Sequence, residues 1–215
     1  MPSSSPDKRS LPARDLTIFA MLGAILFASR IFTEILPPNM HVLGLFIAAM
    51  TLQYRKRALI PLYVFILLDG VYRGFSFWWI SYLYVWLPLW GMFMLAGRCA
   101  WRTANTEAAC PSPHIPSESK SGPKSKPKSI FGLGARSLLY MILCALHGLT
   151  FGTLTAPAHA FFYGLNFSGM LAWISAGIPF DIMHATGNFA AGTLIIPLAA
   201  LLNRLEKSRN PRHPH

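Results

Sequence analysis

Residues 179–202, PFDIMHATGNFAAGTLIIPLAALL, form an almost entirely apolar stretch with a few polar side chains near its start. A helix needs about 20 apolar residues to cross a bilayer core about 30 Å thick. The whole chain shares this character, because 53% of its 215 residues are hydrophobic and only 13% are charged. An average soluble domain has about 25% charged residues. The sequence therefore predicts an all-α, polytopic membrane protein and argues against an ordinary soluble enzyme.

Six apolar segments are candidate membrane helices. They are Leu16–Leu36, Met40–Gln53, Ala58–Tyr72, Phe75–Gly97, Ser137–Thr155 and Pro179–Leu202. The second and third are short for a bilayer, so each is expected to borrow residues from a neighbouring loop. The predicted organisation is a tail at 1–15, helices 1 to 4 at 16–98, a linker at 99–135, helices 5 and 6 with an outer loop at 136–205, and a tail at 206–215.

The positive charge of the chain, +11 in total, is concentrated between the predicted helices. All 19 Lys and Arg residues except Arg30 and Arg73 lie before the first segment, between the second and third, between the fourth and fifth, or after the sixth. Short loops rich in Lys and Arg stay on the cytoplasmic side of a membrane. We therefore expect both termini in the cytoplasm, a location in the cytoplasmic membrane, and an outward-facing loop from Ala156 to Ile178. The lipid bilayer, and not nucleic acid, is the expected partner of this charge.

Two segments allow a second interpretation. The stretch from Cys99 to Ile130 is rich in Pro, Ser, Thr and Lys and predicts a flexible cytoplasmic linker. Its basic residues are either a topology signal or a site for anionic lipid or a partner. The alternative for the first segment is a signal peptide that is cleaved at Ala28, and cleavage there would leave five helices.

Polar side chains in the last segment mark a candidate binding site. Asp181, His184 and Asn188 follow the i, i+3, i+7 spacing of one helix face. Polar groups are costly inside a bilayer and commonly mark a site or pathway. With Pro179 in the first helical turn, the three residues would line one wall of a cavity that opens outward. The alternatives are that Asp181 is only an acid favoured by the helix dipole and that His184 is a core residue.

Aromatic residues supply a second candidate wall. Tyr82 and Trp86 are spaced i, i+4 in the fourth segment, where they would either stack on a flat ligand ring or pack in the core. His147 in the fifth segment and Trp173 in the predicted outer loop are further candidate ligand contacts.

The remaining membrane charges occur in pairs at i, i+4, Arg30 with Glu34 and Asp69 with Arg73, and are expected to pair within their helices. The sequence lacks a Walker loop, an H-E-x-x-H motif and a G-x-S-x-G motif. Its three cysteines have no metal-ligand spacing. We therefore expect no catalytic residues, no metal site and no cofactor in this chain, which looks like a binding protein without its own motor.

Small residues repeat along the first segment. Ala20, Ala24 and Ala28 recur every four residues and would share one helix face, with Gly23 beside it. Small residues let membrane helices approach closely. The stripe either packs inside this bundle, arises by chance in an Ala-rich segment, or docks on a separate membrane protein.

Four stretches together resemble the substrate-binding S components of energy-coupling-factor transporters, the vitamin-uptake branch of ATP-driven importers. They are EILPPNMHVLGLFIAAM at 34–50, YRKRALIPLYVFILLDG at 54–70, WWISYLYVWLPLW at 78–90 and WISAGIPFDIMHATGNFAAGTLIIPLAALL at 173–202. The resemblance implies six membrane helices, a vitamin or related small molecule bound near the outer face, and no ATPase activity. It also implies that Ala20, Ala24 and Ala28 dock on a transmembrane coupling subunit that carries two ATPase subunits.

The resemblance further implies a set of ligand contacts. Pro38, Asn39 and His41 would form a lid, and the wall would consist of Tyr82, Trp86, His147, Trp173, Asp181, His184 and Asn188. The identity of the ligand is left open. Two alternatives from other classes are a stand-alone secondary carrier and a membrane enzyme that uses Asp181 and His184 as an acid–base pair.

Overall fold

The computed structural model describes residues 13–35, 42–109 and 130–209. Its α-helices are α1 (Ala13–Phe32), α2 (Leu43–Tyr54), α3 (Leu59–Arg73), α4 (Phe77–Val85), α5 (Leu87–Ala109), α6 (Ile130–Leu149), α7 (Phe151–Tyr163), α8 (Phe167–Gly192) and α9 (Ile195–Arg209). Short 3-10 helices occur at Thr33–Ile35 and Arg55–Ala58, and none of the described residues is in a strand. The prediction of an all-α fold is therefore confirmed. The predicted lid residues Pro38, Asn39 and His41 lie outside the described residues.

Several of these helices are long and apolar enough to cross a membrane. Three such stretches are Ala13–Phe32, Trp78–Arg98 and Gly134–Tyr163, and α8 with α9, bent by 51° between them, would make a fourth. Helices α2 and α3 contain only 12 and 15 residues, whereas a crossing needs about 20. A membrane protein with three or four such helices is thus supported, and the count of six remains a prediction.

The predicted outer loop from Ala156 to Ile178 is wrong. Helix α7 continues through its first half and α8 occupies most of the rest. The two helices are joined by a turn in which Gly164 has a positive φ of 62°. The Asn166 side chain then caps α8 by accepting the Gly169 N–H at 2.8 Å, a typical start signal for a helix. Pro179 accordingly lies in the middle of α8 and not in its first turn.

The predicted linker at 99–135 is also partly helical. Helix α5 continues into it as far as Ala109, and α6 begins at Ile130, before its end. Residues 110–129 lie outside the described part of the chain. The composition that predicted a linker therefore did not locate the ends of the two adjoining helices.

Helix α2 lies at the centre of the bundle. Eight of its residues are buried: Leu43, Gly44, Leu45, Ile47, Ala48, Ala49, Met50 and Thr51. A helix that is apolar on all sides is stable only when protein or lipid surrounds it on all sides. Its core partners include Leu26 of α1, Phe65 of α3 and Phe93 of α5. The short length of α2 is consistent with a helix surrounded mainly by other helices.

The basic segments meet at one end of the bundle. Arg57 pairs with Asp15 at 3.4 Å and joins the α2–α3 turn to the start of α1. The Arg55 guanidinium donates to the Met94 carbonyl oxygen of α5 at 3.2 Å. Arg55 and Arg136 border the same cleft. This basic end, defined by Arg55, Arg57 and Arg136, gathers chain segments that the sequence assigned to one side of the membrane.

The alanine stripe on α1 points away from the bundle. Ala20, Ala24 and Ala28 are all exposed, whereas Gly23 is buried. A Cβ atom on Gly23 would lie 2.5 Å from Val64 Cγ1 of α3, so this glycine allows α1 and α3 to approach closely. The interpretation that the three alanines pack inside the bundle is therefore wrong.

We predict that Gly23→Leu destabilises the protein and that Ala24→Leu does not. The leucine at position 23 would force α1 away from Val64, and overpacking of this kind costs about 1–3 kcal/mol. The leucine at position 24 would enter open space, where substitutions change the free energy of unfolding by less than about 0.5 kcal/mol. Thermal unfolding of the two variants in detergent micelles measures the difference, and equal melting temperatures would contradict this packing.

Candidate ligand-binding site

A cavity of about 310 Å³ lies between α4, α7 and α8. We refer to it as the aromatic cavity. Its lining residues are Trp78, Ser81, Tyr82, Phe151, Gly152, Thr155, His159, Trp173, Gly177, Phe180 and Asp181. Small-molecule sites are typically concave and mostly apolar, with a few polar groups that orient the ligand. The aromatic cavity has this composition.

Asp181 supplies the carboxylate of the cavity. Only 7% of the residue is exposed, and its Oδ1 accepts the backbone N–H of Gly152 at 3.0 Å. Gly152 lies in the first turn of α7, where N–H groups lack partners in their own helix. A Cβ atom at position 152 would lie 2.5 Å from Asp181 Oδ2, so glycine is needed for this contact. Asp181 thus binds the start of a neighbouring helix, and the interpretation that it is a first-turn acid of its own helix is wrong.

A stacked pair of rings forms another side of the aromatic cavity. The rings of His159 in α7 and Trp173 in α8 are 4.4 Å apart and nearly parallel, with an interplanar angle of 28°. Trp173 is therefore a helical residue and not a loop residue, although it does line the cavity as predicted. His159 was not among the predicted contacts, and it lies in α7, which continues to Tyr163 beyond the predicted end of the fifth segment at Thr155. The apolar residues at 160–163, AFFY, were the signal that this helix continues.

Trp86 and His147 lie behind the cavity lining. Both are almost completely buried, and their rings stack at 5.4 Å. His147 Nε2 makes a hydrogen bond with the Val85 carbonyl oxygen at 2.8 Å. Phe151 separates them from the aromatic cavity, because it packs on Trp86 at 5.6 Å and also lines the cavity. The rings of Tyr82 and Trp86 do pack edge to face, with their centroids 5.8 Å apart. Of these two residues only Tyr82 lines the cavity, because α4 ends at Val85 and Trp86 lies beyond it.

His184 and Asn188 lie deeper in the bundle than Asp181. Asn188 Nδ2 donates to the Cys144 carbonyl oxygen of α6 at 3.2 Å, and the ring of His184 packs on Phe151 at 4.8 Å. All three polar residues are buried on one face of α8, as the spacing predicted. Of the three, only Asp181 borders the aromatic cavity, and Phe151 lines the cavity while packing on His184. Ligand contacts by His184 and Asn188 therefore gain no support from the shape of this cavity.

The charged pairs form as the sequence predicted. Arg30 pairs with Glu34 at 3.5 Å, and Arg73 Nε donates to Asp69 Oδ1 at 3.0 Å. Arg73 also contacts Glu34, so the two pairs form one cluster that joins the end of α1 to the end of α3. In the part of the chain that the structure describes, no group of three or more His, Cys, Asp or Glu side chains is placed to hold a metal ion.

We predict that Asn188→Ala lowers stability. The change removes the hydrogen bond to α6 and leaves a gap beside Gly44. The two residues are close, because a Cβ atom added to Gly44 would lie 3.1 Å from Asn188 Oδ1. Loss of a buried polar contact costs about 1–3 kcal/mol. Thr186→Ala is the control, because Thr186 is exposed and its hydroxyl donates to the Met183 carbonyl oxygen of its own helix. If the two variants unfold at the same temperature, Asn188 has no role in holding α6 and α8 together.

Comparison with protein-family models, with curated proteins and with solved structures gives no match for this chain. The likeness to S components consequently rests on the quoted stretches of sequence alone.

Proposed function

We propose that this chain is the membrane-embedded binding subunit of an importer, which captures a vitamin-like small molecule with a flat ring in the aromatic cavity. The observation that carries the proposal is a largely apolar cavity of about 310 Å³ with Asp181 at one side. Its size and lining suit a small organic molecule. The ligand ring would pack against Tyr82 and the stacked pair of His159 and Trp173, and Asp181 would orient it.

The distribution of charge supports an outward-facing cavity. The cavity-lining residues His159 and Trp173 lie near the α7–α8 turn, whereas Arg136 at the basic end lies near the start of α6. The stretch Gly134–Tyr163 is long enough to cross a membrane between these two regions. Because Arg-rich and Lys-rich loops stay in the cytoplasm, both termini would be cytoplasmic and the cavity would face outward in the cytoplasmic membrane.

The exposed alanine stripe supports docking on a partner. Ala20, Ala24 and Ala28 leave a smooth face on a candidate membrane helix. In a bilayer, close packing across small residues is one of the few forces that hold helices together. We propose that a transmembrane coupling subunit with two ATPase subunits binds this face and drives release of the ligand. This arrangement would make the chain a transport subunit and not an enzyme.

Neither alternative is favoured by a specific contact. The Asp181 carboxylate accepts a backbone N–H of α7, and His184 packs behind Phe151, an arrangement that gives the enzyme hypothesis no exposed acid–base pair. The charged cluster of α1 and α3 pairs its acids with arginines, which leaves a stand-alone, proton-driven carrier with few candidate carboxylates.

We predict that Trp173→Ala reduces ligand occupancy at least tenfold. The change removes one ring of the stacked pair. The control is Leu171→Ala, which alters an exposed side chain that does not line the cavity. The measurement is mass spectrometry of small molecules that co-purify with the detergent-solubilised protein, per mole of folded protein. A ligand retained equally by both variants, or no bound small molecule in the unaltered protein expressed in its native host, would overturn the proposed function.

A further inference from the structure

A second cavity, of about 290 Å³, lies beside the aromatic cavity. Trp78 and Tyr82 border both cavities. The remaining lining residues of the second are Arg30, Asp69 and Arg73, so we refer to it as the charged cavity. The Tyr82 side chain also interacts with Arg30. A molecule whose ring occupies the aromatic cavity therefore has charged side chains within reach across a shared wall.

Two buried polar atoms of residues that line the charged cavity have no hydrogen-bond partner among the residues that the structure describes. Asp69 is only 1% exposed, and Arg73 occupies its Oδ1 while Oδ2 remains unpartnered. Arg30 Nε is likewise buried and unpartnered. A buried group that loses its hydration without gaining a partner costs free energy, more so when it is charged. Both atoms belong to residues that line the charged cavity, so a small rotation of either side chain would bring a strong acceptor or a strong donor to a ligand there.

The charges around the cavity balance. Glu34 contacts both arginines, and Asp69 pairs with Arg73. A ligand that carried a full charge would leave an uncompensated charge beside the buried carboxylate of Asp69, which is only 1% exposed. A neutral group that both donates and accepts a hydrogen bond would satisfy both free atoms without this penalty. Carboxamides, lactams and ureido groups have this donor–acceptor edge.

We propose that the charged cavity binds a neutral, amide-type end of the ligand whose ring lies in the aromatic cavity. The amide N–H would donate to Asp69 Oδ2, and the amide oxygen would accept from Arg30 Nε. This inference rests on the proposed function and specifies its substrate class: small ring compounds that carry a carboxamide, lactam or ureido group.

Three probes with one ring and different head groups test the proposal. Benzamide is neutral, benzoate is an anion and benzamidine is a cation. Their dissociation constants are measured by saturation-transfer NMR with the full chain in nanodiscs at neutral pH. We expect benzamide to bind at least tenfold more tightly than either charged probe. Equal or weaker binding of benzamide, or no binding of any probe, would overturn the inference.

Two substitutions should change this preference in opposite directions. Asp69→Asn leaves the cluster with one excess positive charge and should make benzoate the preferred probe by at least tenfold. Arg30→Met leaves one excess negative charge and should make benzamidine the preferred probe. The control is Asp15→Asn, which removes an acid paired with an arginine at the basic end and should leave the benzamide preference unchanged. A preference that fails to shift in either variant contradicts the proposal, and opposite shifts cannot arise from misfolding.

The same titration separates this inference from the proposed function. Trp173→Ala should weaken all three probes to a similar extent, because it alters the ring site alone. If Trp173→Ala weakens binding but no head-group preference exists, the inference fails and the proposed function stands. If Trp173→Ala has no effect on any probe, the aromatic cavity is not the ligand site and both fall.

Discussion

A carboxylate buried between apolar helices needs a hydrogen-bond donor, and Asp181 obtains one from the backbone N–H of Gly152. This contact holds α8 against the start of α7, and it requires glycine because any Cβ atom at position 152 would collide with the carboxylate. The space that remains between this pair of helices and α4 is the aromatic cavity. The acidic side of the cavity and the close approach of α8 to the start of α7 depend on this contact.

The same rule of polar satisfaction explains most of the other buried polar groups. Asn188 donates to α6, His147 bonds to Val85, and Asp69 is paired with Arg73. Each of these contacts joins two separate elements or fixes a charge within the apolar bundle. Some buried side-chain atoms still lack a partner among the described residues, such as Trp86 Nε1, His147 Nδ1 and Asn188 Oδ1. Asp69 Oδ2 and Arg30 Nε differ from these because both belong to residues that line the charged cavity. Their shared location is the reason to regard the charged cavity as a place for a ligand head group.

The sequence predicted the class of fold and the buried face of α8, because composition and helical spacing do not depend on distant contacts. The start of α8 was misplaced by the preference of proline for the first turn. A proline is tolerated inside a helix of this kind where surrounding groups satisfy the freed carbonyl, and Asn166 was the true start signal. This error placed Trp173 in a loop, and ending the fifth segment at Thr155 left His159 of α7 outside the predicted helices. The depth of the cavity could not be predicted, because it depends on where Phe151 of α7 lies between α4 and α8.

The direction from which the aromatic cavity is reached can be measured directly by cysteine labelling in intact cells. In a background with Cys99, Cys110 and Cys144 replaced by serine, single cysteines are placed at Thr155, in the aromatic cavity, and at Gln53, in the cleft of the basic end. A membrane-impermeant maleimide should label the cysteine at position 155 in intact cells and the cysteine at position 53 only after permeabilisation. The reverse pattern would place the cavity on the cytoplasmic side and contradict uptake from outside the cell.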